Sequence, residues 1–247
     1  MGVLDGKVAI VTGGARGIGR GIARALAAEG ARVAIPDLRP ADEVVREIGQ
    51  GQAFSSRCDV RDSAQVDAFV AETVARFGTV DVLVNNAMAA RVGVPLEVQD
   101  DVAIELALMT GPAATLYFMR ACHPHLVGGG RVINLRSGSE AQGMAGYSAY
   151  VAAKAAIGGI TRVAAREWGR QGITVNAVAP FVLSEAAQAQ FEKVPGQLEE
   201  IYAQLSLPRT GDAEKDVGRA VVYLAGPDAG YVTGCTLMVD GGASFFS

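Results

Sequence analysis

The sequence predicts an α/β fold: a single doubly wound domain with a seven-stranded parallel sheet and helices on both faces. Two observations carry that expectation. Short β-branched runs alternate with longer Ala-rich stretches at helical spacing along the 247 residues, the pattern of βαβ units. The chain also has material for a large core, since 50% of its residues are hydrophobic, 19% are charged and mean hydropathy is +0.24, which excludes a disordered chain. That length suits one large α/β domain. No linker or internal repeat divides it, so residues 1–247 are expected to form one unit.

Val8–Val11 reads as the first strand. Ile18, Ile22, Ala25 and Leu26 then fall on one helical face, and Gly30 stands where a C-terminal cap belongs. Further strands are expected at 32–36, 53–58, 81–85, 131–135, 173–178 and 236–239, and helices at 42–48, 63–77, 101–126 and 148–170. The stretch 184–211, with Pro195, Gly196 and Pro208, breaks this alternation. It is expected to be an insertion covering a substrate rather than a second domain.

Charge narrows the partners. A net charge of −4, a pI near 5.3 and no Lys/Arg-rich run leave no footprint for nucleic acid or an anionic membrane. Cys58, Cys122 and Cys235 are far apart and lack metal-ligand spacing, so no metal site is expected and a reducing compartment fits. Met1 to Lys7 carries Asp5 and no apolar segment, and no stretch reaches 18 uninterrupted apolar residues, so a soluble, cytoplasmic protein is expected.

Directly after the first strand comes Thr12-Gly13-Gly14-Ala15-Arg16-Gly17-Ile18-Gly19, opening into the helix. Glycines there permit a tight turn, close approach of a pyrophosphate and close helix–strand packing, while unpaired N–H groups at the helix start face the phosphates. Gly13, Arg16, Gly17, Ile18 and Gly19 are therefore candidate dinucleotide-binding residues in a Rossmann-type fold. Asp37, eighteen positions past Gly19 and followed by Leu38, is placed to accept hydrogen bonds from an adenosine ribose and to repel a 2′-phosphate. This favours NAD. Arg16 and Arg39 leave NADP open, because a guanidinium near the ribose accommodates that phosphate.

Tyr150 and Lys154 are spaced i, i+4 in an expected helix, so their side chains share a face. A phenol titrating near pH 10 is a poor acid or base at neutral pH, and a close ammonium is expected to lower that value so that the tyrosine exchanges a proton with a substrate oxygen. Ser137, just past the strand at 131–135, lies at the carboxyl edge where open α/β sheets bind ligands, and its hydroxyl is placed to hold that oxygen.

With these motifs in order, the chain resembles the short-chain dehydrogenase/reductase family over nearly its whole length. Cys58-Asp59-Val60, Asn85-Asn86-Ala87, Gly172-Ile173-Thr174-Val175-Asn176-Ala177-Val178-Ala179-Pro180 and Val239-Asp240-Gly241-Gly242 extend the likeness. The resemblance implies that Asp59 and Val60 border the adenine, Asn85 and Ala87 border the adenosine side and ribose, and Pro180 and Val182 line the nicotinamide. It further implies that Tyr150 is the proton donor or acceptor, Ser137 orients the substrate oxygen, and Lys154 binds nicotinamide ribose and lowers the tyrosine pKa. A homotetramer or homodimer is implied as well, tetramers commonly forming through the two long helices.

Three positions depart from the family pattern. Met88 stands where Gly usually follows Asn-Asn-Ala, and Phe181 where Gly usually follows the proline. A relay asparagine expected at about position 111 is replaced by Gly111, followed by Pro112. Arg136 also replaces a small residue before Ser137, and the default expectation is a structural pairing with an acid. His123 and His125 read as surface or capping residues, and Trp168 as buried, in a helix that often forms a subunit interface. Met88, Met144, Phe181 and Phe191 are candidate pocket walls. The expected function is hydride transfer between NAD(H) and a small-to-medium, partly apolar secondary alcohol or ketone. The alternative is a cofactor-binding protein with impaired or no turnover, motivated by the missing asparagine and the bulk at Met88 and Phe181.

Overall fold

The computed structural model describes residues 2–183, 196–203 and 205–245. Seven parallel strands form one sheet: β1 (Val8–Val11), β2 (Arg32–Asp37), β3 (Ala53–Arg57), β4 (Val82–Asn85), β5 (Arg131–Leu135), β6 (Thr174–Pro180) and β7 (Thr236–Val239). Their order is β3-β2-β1-β4-β5-β6-β7. The chain therefore reverses direction across the sheet between β1 and β4, and ligands bind outside the carboxyl ends at such a switch point. Strand ends differ slightly from expectation because neighbours decide them. Asp37 extends β2 by pairing with Arg57, and Pro180 extends β6 by pairing with Val239.

Helices cover both faces. On one side, α1 (Gly17–Ala28), α2 (Asp42–Ile48) and a C-terminal helix pack Ile22, Leu26, Val44, Val221 and Leu224 against Val11, Val33 and Val84. On the other lies α3 (Ser63–Phe77), begun by Asp62, whose carboxylate accepts from the N–H groups of Ala64 and Gln65. That face continues with α4 (Asp101–Leu108) and α5 (Ala114–Leu126). The single helix expected at 101–126 is interrupted by a wide π-turn at Met109–Ala113. Pro112 has no N–H to give and its ring crowds the preceding turn, so the hydrogen-bond ladder shifts there. By length and composition this helical stretch is apolar enough to cross a bilayer, but it packs against β4, α3 and a later long helix as one layer of the fold.

The remaining α-helices among the described residues are α6 (Ser139–Gln142), α7 (Ser148–Trp168), α8 (Gln197–Ala203) and α9 (Arg219–Ala225), the last preceded by a π-helical segment at Ala213–Gly218. That segment lies against α1 so closely that a Cβ on Gly21 would come 2.4 Å from the Ala213 carbonyl carbon. Residues 184–195 and 204 of the expected insertion at 184–211, Phe191 among them, lie outside the described residues. His123 bonds Gln171 at 2.7 Å and its ring lies 4.7 Å from that of Trp168, tying the end of α5 to the end of α7.

A polar chain crosses the core. Asn85 Nδ2 donates to Asn134 Oδ1 at 2.9 Å, Asn134 Nδ2 donates to Thr161 Oγ1 at 3.0 Å, and Thr161 donates to the Ile157 carbonyl at 2.8 Å. All three side chains are buried, so each bond replaces one that water would make. Asn134→Leu strands the Asn85 donor and is expected to cost about 2 kcal/mol, read as a lowered urea midpoint. An unchanged midpoint would show that the polar chain contributes nothing to stability.

Candidate active site

The turn after β1 builds the first half of the site. Gly17 has φ +55°, a conformation side chains resist, and a Cβ on Gly19 would lie 2.3 Å from the Gly13 carbonyl oxygen. Larger residues at either position would push the turn away from the helix. The helix start carries no side-chain cap at Arg16, which leaves its first N–H groups and positive dipole end for an anion. Thr12 locks this turn to β4. Its Oγ1 accepts from the N–H groups of Asn86 and Ala87 at 3.0 and 2.9 Å and donates to the Val84 carbonyl at 3.4 Å, while Asn86 Nδ2 donates to the carbonyls of Thr12 and Gly13.

A cleft of about 1260 Å³ opens over this turn. Its walls include Gly13, Arg16, Gly17, Ile18 and Gly19, then Asp37, Leu38 and Arg39, then Cys58 and Val60, then Ala87 and Met88, with Val182 at the far side. The volume, the uncapped helix start and the glycine-lined floor fit an extended dinucleotide. Asp37 Oδ2 accepts from the Ala15 N–H at 3.1 Å and Oδ1 from the Arg39 N–H at 2.9 Å. These bonds fix the carboxylate at the cleft wall.

Several of the expected site residues are not on the cleft wall. The Asn85 side chain turns into the core toward Asn134 and away from the cleft, because that face of β4 looks onto the buried polar chain. The Asp59 carboxylate is held by Arg61 at 2.6 Å, which keeps it below the usual carboxylate range, and it is not among the wall residues. Pro180, Met144 and Phe181 also stand outside the wall. Met144 is exposed, and the Phe181 backbone is taken up between Val239 and Gly211.

The reactive constellation gathers beside the cleft. Ser137, after β5, has its Oγ 2.8 Å from Ser139 Oγ, and its side chain is near enough to the Tyr150 phenol to favour the phenolate. Lys154, one turn along α7, is buried, donates to the Leu135 carbonyl at 2.7 Å and holds its Nζ 5.8 Å from the Tyr150 ring centre. Burial pushes this amine down to about 8. The expected lowering of the tyrosine by the lysine is not what the structure shows. Burial raises the phenol above its ordinary value, the Ser137 side chain partly opposes this, and Glu140 and Tyr147 add to the rise; the ammonium is directed to a carbonyl instead of the phenolic oxygen.

Met88 joins the two halves. It lines the cleft and packs on Ala149 and Ala153, the residues just before Tyr150 and Lys154. A Cβ on Gly111 would lie 3.5 Å from Met88 Cε and 3.6 Å from its Sδ. The bulk added at 88 thus fills space beside a position that has lost its side chain. Thr110 and residues 212–214 line the cleft but escaped the sequence reading, as did the clamp that Thr12 makes. Thr12 sits at the head of the glycine run, a usable signal, whereas nothing local marks Thr110, which bonds Ala89 from the π-turn and lines the cleft.

Comparison with known proteins agrees with this geometry. A family model described as enoyl-(acyl carrier protein) reductase matches residues 13–244. The 12alpha-hydroxysteroid dehydrogenase of Clostridium sp. is 39% identical, with 98% of each chain covered. The sorbitol dehydrogenase of Cereibacter sphaeroides is 38% identical over 97% of this chain and 98% of its own. The crystal structure of a blue fluorescent protein from a metagenomic library, in complex with NADPH, superposes with a TM-score of 0.88 at 38% identity, covering 98% of this chain and 99% of the other.

The buried lysine yields a signed prediction. Between about pH 8 and 10.5 the unfolded chain holds the Lys154 proton and the native chain does not, so stability rises with pH through that window. Lys154→Met is expected to stabilise the cofactor-free protein at pH 7 by about 2 kcal/mol, with the gain shrinking toward pH 10. Thermal unfolding at both pH values checks this, and a destabilised variant at pH 7 contradicts it.

Proposed function

The chain belongs to the short-chain dehydrogenase/reductase family, and from that premise we propose that it transfers a hydride between NAD(H) and a small-to-medium, partly apolar secondary alcohol or ketone. The observation that carries this reading is the convergence of Ser137, Tyr150 and, one helical turn further along α7, buried Lys154, beside a glycine-floored cleft. The nicotinamide, when bound, supplies the hydride chemistry. Gly13, Gly17 and Gly19 with the free start of α1 would hold its phosphates, and Asp37 its adenosine ribose.

The protein's own groups manage the substrate oxygen and its proton. Ser137 Oγ donates to that oxygen, and Tyr150 gives its proton in reduction or takes it in oxidation. Burial makes the bare phenolate costly, so a compensating cation is required, and Lys154 is the cation within reach of the ring. Asp37 supports NAD over NADP, because a fixed carboxylate at the ribose end repels a 2′-phosphate. Arg16 and Arg39 line the same cleft, and the NADPH in the metagenomic relative keeps the comparison of both cofactors necessary. We take the protein as cytoplasmic and as a homotetramer or homodimer, with exposed Val102, Leu116 and Val163 on the two long helical stretches supporting self-association. Filling of the Gly111 space by Met88 favours a second reading, in which cofactor binds but turnover is impaired.

Titrating NAD(H) and NADP(H), followed by a panel of secondary alcohols and ketones, separates the two. Tight NAD binding with turnover is expected; tight binding with no turnover on a broad panel selects the second reading. In a turning-over enzyme, Tyr150→Phe is expected to lower kcat by roughly 10²–10⁴-fold with cofactor affinity nearly kept, and an unchanged kcat rules out the proton role. Asp37→Ala is expected to narrow the preference for NAD; a wild type that already prefers NADP overturns the ribose assignment.

A further inference from the structure

Arg136 stands where the family pattern has a small residue, and its partner is a second charged side chain in the serine turn. Arg136 Nη2 lies 2.5 Å from Glu140 Oε2 and Nε donates to Oε1 at 3.3 Å, with only 11% and 5% of the two side chains exposed. The guanidinium is held from two other elements. Its Nη1 donates to Thr236 Oγ1 at 2.6 Å at the start of β7, and it lies over Gly158 of α7, where a Cβ would come 2.6 Å from Cζ. Glu140 Oε1 also accepts the Ser137 backbone N–H at 3.2 Å. One carboxylate therefore grips both the guanidinium and the backbone of the serine whose hydroxyl meets Tyr150.

The pair also sits in the field of the reacting phenol. The charged and titratable groups around Tyr150 are Glu140 of α6, Tyr147 just before α7 and Lys154 of α7, and Arg136 reaches this group through its ion pair with Glu140. Asp240, after β7, packs near Gly138 with its carboxylate taken by the N–H groups of Gly242 and Ser244. Glu140 pushes both the Tyr150 phenol and the Lys154 amine upward, and the Arg136 guanidinium sets an opposite charge 2.5 Å from the same carboxylate.

We propose that the Arg136–Glu140 pair is a positioning device for the reaction proposed above: Glu140 fixes the Ser137 backbone so that its hydroxyl meets Tyr150, and Arg136 cancels the carboxylate's charge at the phenol. The inference rests on the dehydrogenase reading, and it makes a prediction that a purely structural ion pair does not. Removing either charge moves the proton equilibrium of Tyr150, and the two removals move it in opposite directions.

The test uses Glu140→Gln, which keeps an acceptor for the Ser137 N–H, Arg136→Met, and the double variant. Two quantities are measured on the full chain with NAD: the pH profile of kcat/KM for alcohol oxidation, and the ultraviolet tyrosinate titration taken as a difference against Tyr150→Phe in each background. Arg136→Met is expected to move the rising limb and the titration to higher pH, Glu140→Gln to lower pH, each by roughly half to one pH unit, and the double variant back toward wild type. Glu140→Ala, which also loses the backbone acceptor, is expected to lower kcat about tenfold with NAD affinity unchanged. Unmoved profiles, or shifts of the same sign, overturn the proposal. Should Arg136→Met fail to fold, Glu140→Gln alone decides, since its limb must still move to lower pH. Opposed shifts in the tyrosinate titration without turnover in wild type sink the dehydrogenase reading and leave the pair's electrostatic role standing; turnover with unmoved profiles does the reverse.

Discussion

Thr12 Oγ1 accepts two N–H groups from the segment after β4 and donates back to β4 itself, and through these bonds the glycine turn is clamped to the neighbouring strand. The clamp sits at the switch point between β1 and β4, where the two halves of the sheet diverge and leave room above their carboxyl ends. The cleft, the uncapped start of α1 and the placement of Ala87 and Met88 all depend on it. A turn free to move by an ångström would lose the close packing of Gly19 on Gly13, and with it the row of N–H groups that faces the cleft.

Two polar assemblies, of different kinds, hold β5 in place. Behind the strand, Asn85, Asn134 and Thr161 form a neutral chain whose members are all satisfied, which gives the core a unique register at little electrostatic cost. At its carboxyl end stands the Arg136–Glu140 pair, nearly withdrawn from water. A buried ion pair contributes little stability relative to apolar residues of the same size, because desolvation offsets the attraction. Its place beside Ser137 and Tyr150 therefore calls for a functional reason, and fixing a hydroxyl while balancing charge at a phenol supplies one.

Met88 and Gly111 are best understood as a single exchange. Taken alone, each departs from the family pattern, one by adding a side chain and the other by losing one. In space they are neighbours: the thioether lies within contact distance of where a side chain at 111 would begin. The interior stays filled, but with apolar atoms where the family pattern has a polar group, and the π-turn at Met109–Ala113 absorbs the proline that follows. Lys154, buried on the adjoining helix, donates a hydrogen bond to the Leu135 carbonyl.

The sequence by itself determined the order of strands and helices, the glycine-floored turn, and the meeting of Ser137, Tyr150 and Lys154. These are local features, written in the two periodicities of strand and helix and in residue types placed at strand ends. Strand ends and the short helix α6 depended on neighbouring hydrogen bonds, so they were blurred or missed, whereas the break at Pro112 was legible in the Gly-Pro pair. Tertiary structure alone decided which way Asn85 points, that Asp59 spends its charge on Arg61, and that Thr110 reaches the cleft. It alone brought Arg136 to Thr236, 100 positions along the chain, and Met88 to Gly111. A side chain's partners are set by which elements the fold makes adjacent, and burial then fixes whether its charge is expressed, as it raises Tyr150 and lowers Lys154 here.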